Sequence, residues 1–270
     1  MRSLRRPDLD PLPRFLGVDL TDRYGRHPRP IDVCGLNDDL QAHWWTWEWP
    51  ATRSAVDITH IADEIRHAQE VMIDGVQALA RIGEFRRECE ATCSTAGRTG
   101  DQRPRIGKPY AGFICSSLDI FEALRHYDAH HVNETPTISE VYPAFLWASF
   151  GTRLPKKSLI SGRVVRRKIL ESFQVKGLPA IPTHDQNDAC IAALLGAAAA
   201  GLVPGMKTTA VGLPLEKGTD GIWREGQLII PLLQKPTVTA LGHSITAWLT
   251  AGLGGYQKQK AGKRRIPAPG

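Results

Sequence analysis

One stretch of the chain constrains its fold more than any other. Residues 189–200 are apolar or very small, and His184-Asp185-Gln186-Asn187-Asp188 comes directly before them. A helix over this stretch has no polar face, so it must be buried nearly all round, and a sheet offers the surface to receive it. Asp185 and Asp188 are three residues apart and project from one face of its first turn. We therefore predict a helix lying on a sheet, with two acids at the sheet's edge.

Two short apolar runs each end in an aspartate. Residues 15–18 lead to Asp19, and residues 71–73 lead to Asp74. Each run predicts a short buried strand with one carboxylate at its C-terminal end. If the two strands are parallel neighbours, both acids emerge at the edge where open α/β sheets bind ligands.

Converging carboxylates need counter-ions. Two unit charges about 4 Å apart cost about 4 kcal/mol at an effective dielectric of roughly 20. No Lys or Arg adjoins any of the acids at 19, 74, 185 and 188 in sequence. We therefore expect two Mg²⁺ or Mn²⁺ ions, the metals that oxygen ligands select. Each acid also has a simpler interpretation, because first-turn acids suit a helix dipole and strand-end acids often cap a turn.

Composition limits the class of protein. The chain has 270 residues, of which 42% are hydrophobic, enough to bury a core. No apolar run approaches about 18 residues, so we expect no membrane span. The N-terminus does not read as a secretory signal, and five cysteines are an odd set. They indicate reduced thiols in a cytoplasmic protein rather than a disulfide framework.

Basic residues are concentrated in one region of a chain whose net charge is +6. They surround a single acid, Glu171, and are Arg153, Lys156, Lys157, Arg163, Arg166, Arg167, Lys168 and Lys176. A solvated helix face and a phosphate-contacting surface explain this cluster equally well. On the second interpretation, the contacts to nucleic acid are Lys156, Lys157, Arg163, Arg166 and Arg167.

The remaining pattern predicts the order of elements. Three strands near the N-terminus are separated by short turns and should pair antiparallel, and a helix then crosses over to place the Asp74 strand parallel to the first. The predicted strands cover 15–20, 31–35, 43–49, 71–74 and 138–143, with a later hairpin from 210–215 and 226–232. The predicted helices cover 55–70, 78–93, 118–131, 163–173 and the segment from Asp185, with a long loop over 94–112.

This order resembles the ribonuclease H-like fold, in which acids lie on the first strand, at the end of the fourth and on the last helix. The Asp185-xx-Asp188 spacing is similar to that of the paired acids in RuvC-type resolvases. The chain also resembles domain-of-unknown-function family 429, predicted to be RNase H-like nucleases. The matching segments are Phe15-Leu16-Gly17-Val18-Asp19, Val71-Met72-Ile73-Asp74-Gly75, Arg87-Glu88-Cys89-Glu90, Glu140-Val141-Tyr142-Pro143, Asp185-xx-Asp188-Ala189 and a stretch near Gly226.

The resemblance implies an α/β domain over residues 14–235, with a mixed sheet flanked by helices and a peripheral basic tail over 236–270. It implies a two-metal nuclease in which Asp19 bridges both ions and Asp74 with Asp185 or Asp188 completes their shells. The chain departs from many relatives, which carry Gly directly after the first acid and often Pro after the second, whereas Leu20 and Gly75 stand here.

Two further residues have double interpretations. Glu140 lies mid-strand, where a buried acid needs a partner, and we expect an ion pair with an arginine such as Arg87 rather than an additional metal ligand. His184 is expected to be an exposed residue at a helix start, the alternative being contact with a phosphate or with the attacking water.

Two other functions stay open from the sequence. The departures after Asp19 and Asp74 also suit a nucleic-acid-binding module without catalysis. An actin-like ATPase or sugar-kinase domain begins with a similar acid-bearing strand, but it needs a Gly close after that acid, and Leu20-Thr21-Asp22 supplies none.

Overall fold

Seven strands form one mixed sheet, and two more form a small hairpin. The computed structural model describes residues 12–50, 59–130, 137–150 and 154–233. The strands are β1 (Phe15–Asp19), β2 (Ile31–Leu36), β3 (Ala42–Trp47), β4 (Glu70–Asp74), β5 (Thr137–Val141), β6 (Met206–Val211), β7 (Leu215–Lys217), β8 (Trp223–Glu225) and β9 (Leu228–Leu233). The helices are α1 (Thr59–Arg66), α2 (Glu88–Cys93), α3 (Ala111–His130), α4 (Pro143–Ser149), α5 (Ile160–Ser172) and α6 (His184–Ala199).

The sheet has the order β3-β2-β1-β4-β5-β9-β6. Strands β1, β2 and β3 pair antiparallel, whereas β1 with β4 and β4 with β5 pair parallel. The predicted α/β class, with an antiparallel part followed by a parallel part, is therefore confirmed. The carboxyl ends of β1, β4 and β5 meet at one edge, because parallel neighbours end on the same side.

Helix α6 lies directly on β1. A Cβ atom on Gly17 would stand 1.9 Å from the carbonyl oxygen of Ala189 and 2.3 Å from the backbone nitrogen of Ala193. The absence of a side chain at Gly17 lets the helix backbone touch the strand backbone. The helix is buried from Asn187 to Ala198, as its apolar sequence predicts, and Thr183 caps its N-terminus by accepting from the backbone N–H of Gln186.

The opposite face of the sheet is covered by α1 and α3. Trp45 and Trp47 of β3 are buried there, and both indole N–H groups donate to the same carboxylate oxygen of Glu64, each at 2.7 Å. The sheet is therefore the middle layer of three. None of the helices in the part of the chain that the structure describes has the length and apolar character needed to cross a bilayer.

The predicted helix over 78–93 is wrong over most of its length, since only α2 is helical. The backbone N–H groups of Leu79 and Ala80 instead donate to the distant carbonyls of Trp223 and Gly100, at 3.1 and 3.0 Å. Long-range hydrogen bonds here replace the local i to i−4 bonds of a helix.

Other predicted boundaries differ from the observed ones by fewer residues. Helix α3 begins at Ala111 rather than near 118, and the late hairpin is β6 paired with β9, with β7 and β8 inserted between them. The predicted tail over 236–270 lies outside the described residues.

Candidate functional site

Five carboxyl groups gather at the carboxyl edge of the sheet, and we call them the acid cluster: Asp19, Asp32, Asp74, Asp185 and Asp188. Asp19 stands in register with Asp74 on the parallel neighbour β4. Helix α6, pressed onto β1, brings Asp185 and Asp188 to the same place, and both are buried. The convergence of Asp19, Asp74, Asp185 and Asp188 that the sequence predicts is therefore seen.

The cluster holds protons that isolated carboxyls would release. Burial, followed by the charges of Asp74, Asp188 and Asp185, raises the pKa of Asp19 well above its ordinary value. Burial and the charge of Asp188 raise the pKa of Asp74 to about 7. The carboxyls of Asp74 and Asp185 lie close enough to that of Asp19 to share a proton with it. A proton held between two such carboxyls relieves the repulsion that their charges would otherwise cause.

Asp32 belongs to the cluster although the sequence did not single it out. It pairs with Asp19 across the antiparallel β1–β2 ladder. Burial and the charge of Asp185 raise its pKa to about 6, against the opposing effect of Arg29. The usable signal was the short strand at 31–35, whose second residue is an acid and whose antiparallel pairing with β1 was predicted.

Two cations contact the cluster, which corrects the expectation based on sequence neighbours. Arg29 Nη1 lies 2.7 Å from Asp185 Oδ2, and Lys157 Nζ lies 2.8 Å from Asp188 Oδ2. The other oxygen of this carboxylate, Asp188 Oδ1, accepts a bond at 2.6 Å from the indole N–H of Trp147 in α4. Among the described residues, two of the five carboxylates are in direct contact with a cationic side chain.

The turn before α5 delivers Lys157. A Cβ on Gly162 would stand 2.1 Å from the carbonyl oxygen of Lys156, so only glycine lets this turn fold closely over the helix. Although burial opposes it, the charge of Asp188 raises the pKa of Lys157. The Lys157 side chain is nevertheless about half exposed, at 54%. It can therefore face a ligand as well as Asp188.

Glu140 is held by an arginine, as expected. Arg87 is fully buried and donates two bonds to the Glu140 carboxylate, at 2.7 and 2.5 Å, and one to Glu90 at 3.1 Å. Glu140 also accepts the backbone N–H of Gln77 at 3.0 Å. With both oxygens occupied, Glu140 fixes the segment after Asp74 rather than presenting a free ligand.

An open cavity of about 520 Å³ lies beside the acid cluster. Its lining includes Asp74, Asp188 and Lys157 together with the Arg87–Glu140 pair. Tyr110 and Phe113 contribute aromatic surface. The volume lies within the usual range of about 300–1,000 Å³ for small-molecule sites.

The donor chemistry of the cluster suits a hard divalent cation, because every candidate ligand is a carboxylate oxygen. Within the described ranges, however, no three His, Cys, Asp or Glu side chains are positioned to hold a metal ion together as they stand. Lys157, Trp147 and Arg29 occupy oxygens of Asp188 and Asp185. A bound cation would replace these contacts and the shared protons, which adds a cost to binding.

His184 contacts the acid cluster, whereas the basic residues differ in how exposed they are. His184 is the first residue of α6, with its Nδ1 2.6 Å from Asp185 Oδ1 and about a third of its side chain exposed. Lys156 is exposed and Arg163 is half-buried. Arg166 is buried, donates to the carbonyls of Pro155 and Gly162 and lies 5.5 Å from the Trp147 ring centroid.

Arg167 pairs with Glu171 at 2.7 Å. Of the five basic residues predicted to contact nucleic acid, Lys156 and Lys157 thus have the most exposed side chains, whereas Arg166 supports the turn that carries them. All five cysteines of the chain are buried and form no disulfide.

Comparison of the chain with protein-family models, with curated proteins and with solved structures finds no match in any of the three.

The raised pKa values predict how the metal-free protein responds to pH. Asp74 and Asp32 release protons near pH 4 when unfolded but only near pH 7 and 6 when folded. The folded state therefore binds more protons over this interval, and the free energy of unfolding should fall as pH rises from 4 to 7. Urea unfolding in EDTA at several pH values measures this. Asp74→Asn should flatten the slope between pH 5 and 7, and an unchanged slope in that variant would contradict the assignment.

Proposed function

We propose that this protein is a metal-dependent nuclease of ribonuclease H-like type, which hydrolyses phosphodiester bonds at the acid cluster. The observation that carries the proposal is the register of Asp19 against Asp74 at the carboxyl end of two parallel strands, with Asp188 delivered beside them by α6. The strand order, antiparallel and then parallel, supports the ribonuclease H-like assignment.

The proposed cofactors are two Mg²⁺ or Mn²⁺ ions. Asp19, central in the cluster, would contact both, and Asp74 with Asp185 or Asp188 would complete their shells. When bound, such ions supply the positive charge that activates water and stabilises the leaving oxygen. The raised pKa of Asp19 supports this assignment, because a cation relieves the same repulsion that the proton now relieves.

The surrounding side chains would position the substrate. Lys157 is half exposed, lines the cavity and would contact a phosphate oxygen, with Lys156 next to it in the chain. The Arg87–Glu140 pair would keep the segment after Asp74 in place, and Tyr110 would offer a flat surface to a base or sugar. The substrate class proposed is nucleic acid, either DNA or RNA.

A second candidate is a nucleic-acid-binding module without catalysis. Arg29, Lys157 and the shared protons already neutralise part of the cluster, so the fold can exist without metal. Neutralisation of the cluster without metal favours the binding module over an actin-like ATPase or sugar-kinase domain.

One experiment separates the two candidates. The purified protein is incubated with labelled single-stranded DNA, duplex DNA, single-stranded RNA and a four-way DNA junction, each with Mg²⁺, with Mn²⁺ and with EDTA. We expect cleavage of at least one substrate that requires the divalent ion. Salt-sensitive binding of nucleic acid without any cleavage would instead establish the binding module.

A further inference from the structure

A second cavity, of about 640 Å³, lies on the other side of the segment that follows β4. Gly75 and Val76 line the first cavity, whereas Ala78 and Leu79 line this one. It has an apolar wall, which includes Leu79, Leu118 of α3 and Trp223 of β8. Its volume suits a small molecule rather than a folded partner.

Arg125 of α3 carries the one arginine charge in this cavity that lacks a carboxylate partner among the described residues. Arg224 donates to both oxygens of Asp220, at 2.8 and 2.7 Å, and Arg103 donates to Asp119. Arg125 instead donates to the backbone carbonyl of Gln77 at 3.0 Å and stacks 5.3 Å from the Trp223 ring centroid.

Partial burial without a carboxylate partner is unfavourable for this guanidinium, whose Nε has no hydrogen-bond partner among the described residues. Burial lowers the pKa of Arg125 to about 10, and Glu122, one turn earlier on α3, opposes this only in part because its side chain is 74% exposed. An anion beside Arg125 would restore the solvation that the charge has lost. The cavity is therefore suited to a ligand with one anionic group.

The other lining groups define the rest of the ligand. The apolar wall suits a flat ring, and the carboxylates of Asp101 and Asp220 can accept hydrogen bonds from hydroxyl or amino groups. A simple aromatic carboxylate offers no such donors, whereas a nucleoside phosphate combines a ring, hydroxyl groups and an anion. We propose that this cavity binds a nucleoside phosphate, with its phosphate on Arg125 and its base against Leu79, Leu118 and Trp223.

Two sources share this chemistry, a free nucleotide and the terminal nucleotide of a strand. Binding at this cavity does not depend on the acid cluster, so the test is made in EDTA. Tryptophan fluorescence and calorimetry follow titrations with AMP, with adenosine and with a 5′-phosphorylated four-nucleotide DNA strand at constant ionic strength. We expect saturable binding of AMP, with adenosine bound about tenfold more weakly because it lacks the charged contact.

The titration with the DNA strand shows whether the cavity binds a free nucleotide or the end of a nucleic-acid strand. Binding of the strand about tenfold more tightly than AMP would assign the cavity to a strand end, and equal or weaker binding would assign it to the free nucleotide. Asp19→Asn should bind AMP as the unaltered protein does, whatever its nuclease activity. Failure of the nuclease proposal and failure of this one are thus distinguishable.

Variants of its lining residues test whether AMP binds in this second cavity. Arg125→Gln should weaken AMP binding about tenfold and abolish the difference from adenosine, whereas Arg105→Gln, at an exposed loop position, should change it by less than about twofold. Ile222→Trp, which fills the cavity without removing a charge, should also abolish binding and decides the matter if Arg125→Gln does not fold. The proposal is overturned by absence of saturable binding to both AMP and the strand, or by unchanged binding in a folded Arg125→Gln or in Ile222→Trp. Indole-3-carboxylate, titrated in the same way as an aromatic carboxylate without hydroxyl groups, would also overturn it by binding more tightly than AMP.

Discussion

Asp19→Asn should abolish metal-dependent cleavage of nucleic acid, lowering its rate by about 1,000-fold, the size of effect found when a group that stabilises charge is removed from an active site. Asp19 lies beside Asp74 and Asp185, whose charges act directly on its carboxyl. Asparagine keeps the shape of the side chain but lacks the charge that would bind two cations. A gel-based cleavage assay with Mg²⁺ or Mn²⁺ measures the effect.

Stability measurements on Asp19→Asn show whether the variant is folded. Removing an acid from the cluster relieves repulsion, and the asparagine N–H₂ can donate to a neighbouring carboxylate, so the metal-free variant should be more stable than the unaltered protein at pH 8. Mn²⁺ should then stabilise the unaltered protein more than the variant.

Asp39→Asn is the matched control. Asp39 is exposed beyond the C-terminal end of β2, and this end of β2 pairs with the start of β1, so it lies at the opposite edge of the sheet. It should leave cleavage unchanged. Full activity in Asp19→Asn would reject the nuclease assignment, whatever the stability data show.

Gly17→Ala should lower the free energy of unfolding by about 3 kcal/mol or more, as overpacking does when neither neighbour can move. The new methyl group would lie 1.9 Å from the carbonyl oxygen of Ala189 and 2.3 Å from the nitrogen of Ala193. Both are backbone atoms of a buried helix, so no side-chain rotation relieves the clash. Urea unfolding followed by tryptophan fluorescence measures the loss.

The clash in Gly17→Ala should also displace α6 from β1, and this displacement has a second consequence. Because Asp185 and Asp188 lie on its first turns, Gly17→Ala should reduce cleavage even under conditions where most of the protein is folded. Gly100→Ala is the control, since a Cβ there meets no atom within 4 Å. It should change stability by less than about 0.5 kcal/mol. Equal stability of the two variants would show that the close approach of α6 and β1 is not required.

Much of the architecture could be predicted because its signals are local. The apolar runs before Asp19 and Asp74 predicted strands, and the apolar stretch after Asp188 predicted a buried helix. Short turns between the first strands predicted their antiparallel pairing, and the crossover predicted the parallel one. Where a chain segment forms its hydrogen bonds with distant residues, as at Leu79 and Ala80, the same periodicity wrongly predicted a helix.

The sequence by itself predicted that two aspartates end strands and two begin a helix at one edge of a sheet, because side-chain periodicity is a property of neighbouring residues. Only the tertiary structure decided which charges neutralise them. Arg29 and Lys157 reach the cluster from a loop and a turn, and Asp32 joins it through a ladder. Which charges interact depends on their distance in space. That distance is set by tertiary packing, such as that of α6 against Gly17 and of the turn against Gly162.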